Sequence, residues 1–317
     1  MGTNAADLVA RTLRGDRRAV ARAISLVEDA APELREIMAG LAPRTGRARF
    51  VGLTGSPGVG KSTTTSALVT ALRERGESVG VLAVDPSSPF TGGALLGDRV
   101  RMQEHATDSG VFIRSMASRG HLGGLSWATP HALRVLDAAG FDVILVETVG
   151  VGQAEVDIAR HADSTVVLCA PGMGDSVQAA KAGVLEVADV FVVNKADREG
   201  ARATVRELRQ MVSQAERGPD EWRPPIVSTV AASGTGIGEL VQRLDEHLAH
   251  LRASGELDRR RHARAREEIE AIVLHALRER VGDVHGHAAL DKLAGEVAAG
   301  SGDPYSAAGT LLAALDQ

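Results

Sequence analysis

Gly55-Ser56-Pro57-Gly58-Val59-Gly60-Lys61-Ser62, followed by Thr63, has the spacing G-x-x-x-x-G-K-[ST], which suits a string of phosphates. The glycines let backbone N–H groups turn inward, and a helix beginning near Lys61 would aim its positive end at the same point. Lys61 would reach the β- and γ-phosphates and Ser62 would ligate Mg²⁺. Acids close two other apolar runs, Asp85 after Val81–Val84 and Glu147 after Val143–Val146. A strand-end acid commonly caps a helix or forms a turn. Two of them on strands able to flank the P-loop strand are placed to hold Mg²⁺ directly or through water. Gly150, three residues past Glu147, can offer its N–H to the γ-phosphate.

Base choice is written at Asn194-Lys195-Ala196-Asp197, after the apolar run Val190–Val193. The Asp197 carboxylate would accept from guanine N1–H and N2–H₂, the Lys195 stem would pack over the base, and Asn194 would tie the loop back. Adenine presents an acceptor where Asp197 needs a donor. One charge-assisted hydrogen bond of this kind is worth roughly 1.5–3 kcal/mol, so two misplaced ones exclude ATP. The pattern is weak alone; two strands after a P-loop it reads as GTP and GDP binding.

These residues need rigid strand ends, and the sequence supplies them. Apolar runs occur at Phe50–Leu53, Val79–Val84, Val111–Ile113, Val143–Val146, Val166–Leu168, Val190–Val193 and Ile226–Val227, separated by helical spacing. Near-continuous apolar strands between helices indicate a parallel sheet covered on both faces. The fold class is therefore α/β, a doubly wound, mostly parallel P-loop domain over residues 47–253. Residues 1–46 read as short helices, with Val20, Ile24 and Val27 at helical spacing. Residues 254–317 read as an α-helical extension, with a helix through Ala265–Leu277, a break at Gly282–Gly286, and helices around Leu290–Val297 and Ala307–Leu315. Those last helices are too few for a core of their own, so they would bury apolar faces against the α/β domain or a second subunit.

Composition narrows the class. A net charge of −5 argues against a general nucleic-acid binder. Cys169 is the only cysteine, so no disulfide forms within the chain and a reducing, cytoplasmic setting fits. No apolar run approaches the roughly 20 residues that span a bilayer. There are only four lysines (Lys61, Lys181, Lys195 and Lys292), and Arg supplies the other positive charge. Such a chain keeps Lys where a compact ammonium is needed.

Three further strings carry a resemblance: Val84-Asp85-Pro86-Ser87-Ser88; Thr91-Gly92-Gly93 with Leu96-Gly97-Asp98-Arg99; and Glu147-Thr148-Val149-Gly150-Val151-Gly152-Gln153. With the early Gly15-Asp16-Arg17-Arg18 helix and the helical tail, the chain resembles the MeaB/ArgK-type GTPases. They are the methylmalonyl-CoA mutase-associated branch of the metallochaperone-like (SIMIBI-class) P-loop family. The resemblance implies a homodimer joined through the C-terminal helices. It also implies a chaperone whose GTP state gates adenosylcobalamin loading into an acyl-CoA mutase and protects that enzyme. Asp85, Asp98 and Glu147 match the family's magnesium-site acids, Asp98 in a first switch and Glu147 opening a second. Gly172-Met173-Gly174-Asp175, with Gln178 and Lys181, is similar to a further switch that senses the mutase. The chain departs from the pattern at Val230-Ala231, where family members usually carry Ser-Ala. Ala231 can still give its N–H to guanine O6, while the missing hydroxyl puts the loop's stiffness in question.

The chemistry expected is in-line attack of water on the γ-phosphate, with charge stabilised by Mg²⁺, Lys61 and loop N–H groups. Gln153, three residues past Gly150, is the candidate water-positioner, and its distance suits slow hydrolysis that a partner accelerates. A metallochaperone of the same superfamily is an alternative, but it would want more than one cysteine. A kinase linked to an amino-acid (lysine/arginine/ornithine) transport system is another, but no base for an acceptor hydroxyl stands out. Arg259-Arg260-Arg261, with Arg264 and Arg266, reads as a solvated helix face pairing with Glu267, Glu268 and Glu270. His285 and His287 lack a third metal ligand, Cys169 reads as a buried small hydrophobe, and Trp222 as a packing anchor.

Overall fold

The computed structural model describes residues 4–86, 102–118, 128–148, 154–172, 187–215, 217–218, 220–281 and 288–315. The chain divides into two compact units, Met1–Arg261 and His262–Gln317. Among the described residues no helix is long and apolar enough to cross a membrane.

Among the described residues of the first unit seven strands form one sheet: β1 Arg49–Thr54, β2 Val79–Pro86, β3 Val111–Ser118, β4 Val143–Thr148, β5 Ser164–Cys169, β6 Val190–Val193 and β7 Ile226–Ser228. Their order is β3-β2-β4-β1-β5-β6-β7 and every pairing is parallel. Each apolar run expected from the sequence lies within one of them. Parallel neighbours need crossover helices, which cover both faces and explain why the runs are apolar at successive positions.

Among the described residues the α-helices of this unit are α1 Ala5–Thr12, α2 Arg17–Glu28, α3 Leu34–Leu41, α4 Lys61–Glu74, α5 Ala128–Ala138, α6 Ala154–His161, α7 Ala201–Gln214 and α8 Ile237–Ala253. Alternate strand residues feed separate cores. Val51, Leu53, Val79 and Val81 pack with Leu68 and Leu72 of α4 and Leu240 and Leu244 of α8. Leu82, Val84, Ile144 and Val146 pack on the other face, with α5 and with α1–α3. Asn4 and Asp16 start α1 and α2 by accepting backbone N–H bonds, at 3.1 Å from Ala6 and 2.9 Å from Arg18. Gly52 lets α6 lie close on β1, because a Cβ there would meet Ile158 Cγ1 at 3.0 Å.

Charge is buried at the N-terminal ends of β5 and β6, opposite the strand ends that carry the chemistry. Asp163 is fully buried and accepts from Phe50 N at 3.0 Å and from the Arg261 guanidinium at 3.0 Å. Asp189 accepts from Thr165 N at 2.8 Å and takes two Arg260 contacts of 3.1 Å. His247 Nε2 lies 3.2 Å from Asp189 Oδ1, an ion-pair separation whose direction misses hydrogen-bond geometry, while Nδ1 meets Ser164 Oγ at 2.8 Å. Trp222 stacks at a tilt on His247, centroids 4.9 Å apart, and its Nε1 donates to Asp189 O at 2.7 Å. Trp222 is thus an anchor with a polar handle.

Two expectations change here. Arg260 and Arg261 are not a solvated face paired with Glu267, Glu268 and Glu270; they clamp Asp189, Asp163 and the Gly46 and Ala48 carbonyls. The first helix of the tail, α9 Glu256–Val281, also begins well before Ala265. Gly255, at φ +69°, ends the preceding helix, and Glu256 then pairs with Arg259 at 2.8 Å and Arg260 at 3.5 Å. Glu and Arg are good helix formers, but a charged run has no apolar period to announce them.

The second unit holds the rest of α9, then α10 Ala288–Ala298 packed against α11 Pro304–Leu315. Ile269, Ile272, Val273, Leu274 and Leu277 of α9 are all exposed. The break expected at Gly282–Gly286, and the His285–His287 pair, lie outside the described residues.

Burial opposes ionisation of Asp189, but the close approach of His247 and then the Arg260 guanidinium hold its carboxyl below the ordinary carboxylate range. A depressed folded-state value contributes stability above the unfolded-state value and loses it as pH falls through the folded one. Asp189→Asn is expected to cost on the order of 3 kcal/mol at pH 7, with the gap from the parent chain closing only below the usual carboxylate range. Denaturant melts from pH 7 down to 3 check this.

Candidate nucleotide site

The P-loop runs from the end of β1 into α4, and its glycines answer specific local demands. Gly55 sits at φ +141°, where a Cβ would strike the Leu168 carbonyl. Gly60 sits at φ +99°, and a Cβ there would strike the Asn194 side-chain amide. Both are positions where a side chain is strained and crowded at once. Gly60 brings no side-chain cap to α4, so the helix N-terminus is left to backbone and ligand chemistry.

Lys61 is buried and arches back over the loop, its Nζ donating to Gly55 O at 2.6 Å and Ser56 O at 3.2 Å. An ammonium on a flexible stem can exchange these carbonyls for phosphate oxygens without moving the backbone. Ser62 Oγ donates to Glu147 Oε1 at 2.6 Å. Sheet register explains the meeting: Glu147 pairs with Leu53 of β1 on one side and Ala83 of β2 on the other. A buried hydroxyl beside a buried carboxylate is an all-oxygen donor set, which fits a hard cation such as Mg²⁺.

Asn194 joins the base half to the phosphate half. Its Nδ2 donates to Val59 O of the P-loop at 2.9 Å, and its Oδ1 accepts from Thr229 Oγ1 and Ala231 N, both at 3.1 Å. Lys195 holds an uncommon φ of +55° and stretches its Nζ to Gly58 O at 2.6 Å. Its stem thus bridges the two motifs. Asp197 is exposed in the turn that follows. The Ala231 N–H that the sequence offers to guanine O6 is engaged here by Asn194.

The Val230-Ala231 loop is tied despite the missing serine. Val230 N donates to Thr235 O at 3.0 Å, Ser233 Oγ donates to Val230 O at 3.1 Å, and Ser233 Oγ meets Thr235 Oγ1 at 3.0 Å. Hydroxyls a few residues downstream fasten the turn.

Gly55–Thr63, Glu147, Asn194, Lys195 and Ala231 are therefore brought together. Asp85 is the penultimate residue of β2, two past Ala83, the partner of Glu147, and only its backbone is described. Asp98, Gly150, Gln153 and Lys181 lie outside the described residues, as do Met173, Gly174, Asp175 and Gln178. Two buried participants carry no sequence signal of their own: Thr229 on Asn194, and Thr65, whose Oγ1 lies 3.0 Å from Glu147 Oε2. A threonine in an apolar context reads as strand or helix filler until a partner is seen. Cys169 is inert, since burial pushes its thiol up to about 11.

The family model described as methylmalonyl Co-A mutase-associated GTPase MeaB matches residues 20–285. A protein of Pyrococcus abyssi is 51% identical over 308 residues, covering 96% of this chain and 95% of its own. GTPase ArgK of Escherichia coli is 38% identical over 284 residues, covering 86% of each chain. The mouse methylmalonic aciduria type A homolog, a mitochondrial protein, is 38% identical over 266 residues, covering 78% of this chain and 64% of its own. A crystal structure of an LAO/AO transport system kinase superposes with a TM-score of 0.75 at 27% identity, covering 100% of both chains.

Asp197→Asn replaces an acceptor pair with one acceptor and one donor, which suits xanthine better than guanine. The variant is expected to bind GTP about 10- to 150-fold more weakly and to gain affinity for xanthosine triphosphate. Competition against a fluorescent GDP reads both.

Proposed function

Because the chain belongs to the MeaB family of methylmalonyl-CoA mutase-associated GTPases, we propose that its GTP cycle gates adenosylcobalamin loading into an acyl-CoA mutase and protects that enzyme. The chain is a GTPase. The observation that carries the rest is the 2.6 Å bond between Ser62 and Glu147. Glu147 opens the segment that resembles the second switch, so the phosphate loop and that switch share one carboxylate. A partner resting on the segment would thereby read the nucleotide.

In this reading water attacks the γ-phosphorus in line, the bond to the β–γ bridging oxygen breaks, and GDP and inorganic phosphate leave. Lys61 and the P-loop N–H groups offset charge developing on the phosphate oxygens. Ser62, Asp85, Asp98 and Glu147 would hold Mg²⁺, which supplies neutralisation of the β- and γ-phosphates. Gly150 would donate to the γ-phosphate, Gln153 would orient the water, and Lys181 would sense the mutase. Hydrolysis is slow alone and quickened by the partner.

Phosphate release is to be measured with and without an adenosylcobalamin-dependent acyl-CoA mutase. A rate that rises with the mutase is expected, and an equal rate overturns the proposal. With γ-labelled GTP and an amino-acid transport protein, label should leave as free phosphate; label held by the protein would make the chain a kinase.

We further propose that the chain is a homodimer through its tail. Ile269, Ile272, Val273 and Leu277 recur at helical spacing on α9 and are 63%, 44%, 51% and 50% exposed, an apolar stripe that a second copy would cover. Light scattering should give twice the chain mass, and Ile269→Glu with Val273→Glu should give the monomer with GDP binding intact.

A further inference from the structure

Glu147 takes hydroxyls from two positions on the P-loop helix. Ser62 reaches Oε1 at 2.6 Å and Thr65 reaches Oε2 at 3.0 Å. The pair is spaced i and i+3, so both hydroxyls lie on one face of α4. All three side chains are buried: Thr65 is 0% exposed, Glu147 1% and Ser62 6%.

An ionised carboxylate only accepts, so both hydroxyls must donate. Thr65 has one proton and a second acceptor in reach, Lys61 O at 3.0 Å. A helix threonine can always use that carbonyl, so the contact to Glu147 is an added one, selected by where β4 ends. A divalent cation held by Ser62 would draw on the Ser62 oxygen and on its neighbour Oε1. Oε2 would then be left to Thr65 of α4.

We propose that Thr65 is a positioning residue for the metal site: its hydroxyl anchors Glu147 Oε2 to the P-loop helix and so keeps Oε1 beside Ser62. This rests on Ser62 and Glu147 serving a divalent cation. Groups that orient a metal-site carboxylate typically change metal affinity by about 10- to 100-fold when removed. The hydroxyl of Thr65 acts on the site through Glu147 Oε2.

The test is the Mg²⁺ concentration needed for tight binding of fluorescent GTP, with GDP affinity in chelator as the metal-free reference. Thr65→Val keeps the shape and removes the hydroxyl. It should raise the Mg²⁺ midpoint about 10- to 100-fold and leave metal-free GDP affinity unchanged. Thr65→Ser should restore the parent midpoint, and in a Glu147→Gln background Thr65→Val should add no further shift. An unchanged midpoint in Thr65→Val overturns the proposal, as does a Thr65→Ser midpoint displaced as far as that of valine. If Thr65→Val does not fold, Thr65→Ala, a strong helix former, is held to the same criteria. A parent chain and a Glu147→Gln variant equally indifferent to Mg²⁺ would instead overturn the metal reading of Ser62 and Glu147.

Discussion

The side-chain amide of Asn194 is the contact on which the nucleotide site depends. One group spans 2.9 Å to the P-loop carbonyl of Val59 and 3.1 Å to each donor, Thr229 and Ala231, of the loop after β7. Three segments far apart in sequence are fixed relative to each other by a buried residue whose donor and acceptor are both in use. Gly60 must be glycine for the amide to come this close, and Lys195 adds a second strut from the base motif to Gly58. Phosphate recognition and base recognition are therefore one object. Loosening either half should be felt by the other.

The sheet keeps its two ends for different work. At the C-terminal ends of β1, β4 and β6 lie the P-loop, Glu147 and Asn194, where loops can approach a ligand. At the N-terminal ends of β5 and β6, Asp163 and Asp189 are buried but fully engaged by Arg260, Arg261, His247 and backbone N–H groups. An ion pair in such a place gives little net stability against an apolar substitute, yet removing one partner is costly. Its structural effect is to fasten the first turns of α9 to the strands that lead to Asn194.

Much of this is legible from sequence, for reasons that differ by residue. The strands show because parallel, doubly covered strands are apolar throughout, and the P-loop shows because its glycines are forced by φ and crowding. Asn194 is readable as part of a motif, though the identity of its partners is not. The partners of Arg260 and Arg261 are not legible, because a charge run does not reveal which carboxylates the tertiary fold brings near; Asp163 and Asp189 lie about 70 to 100 residues away. Thr65 and Thr229 are invisible for a related reason, since a hydroxyl's role is set by what packs over it. The loop Val230–Thr235 shows the converse case. The absent serine points to slackness from sequence alone, and Ser233 and Thr235 supply the ties from nearby positions.

The most direct measurement is calorimetric titration of Asn194→Ala, beside the parent chain, with GDP and with pyrophosphate, which has no base. If Asn194 holds both halves in register, the variant binds each ligand more weakly, including the one that never meets the guanine loop. Undiminished pyrophosphate binding, with GDP alone weakened, would contradict the account and leave base and phosphate recognition as independent sites.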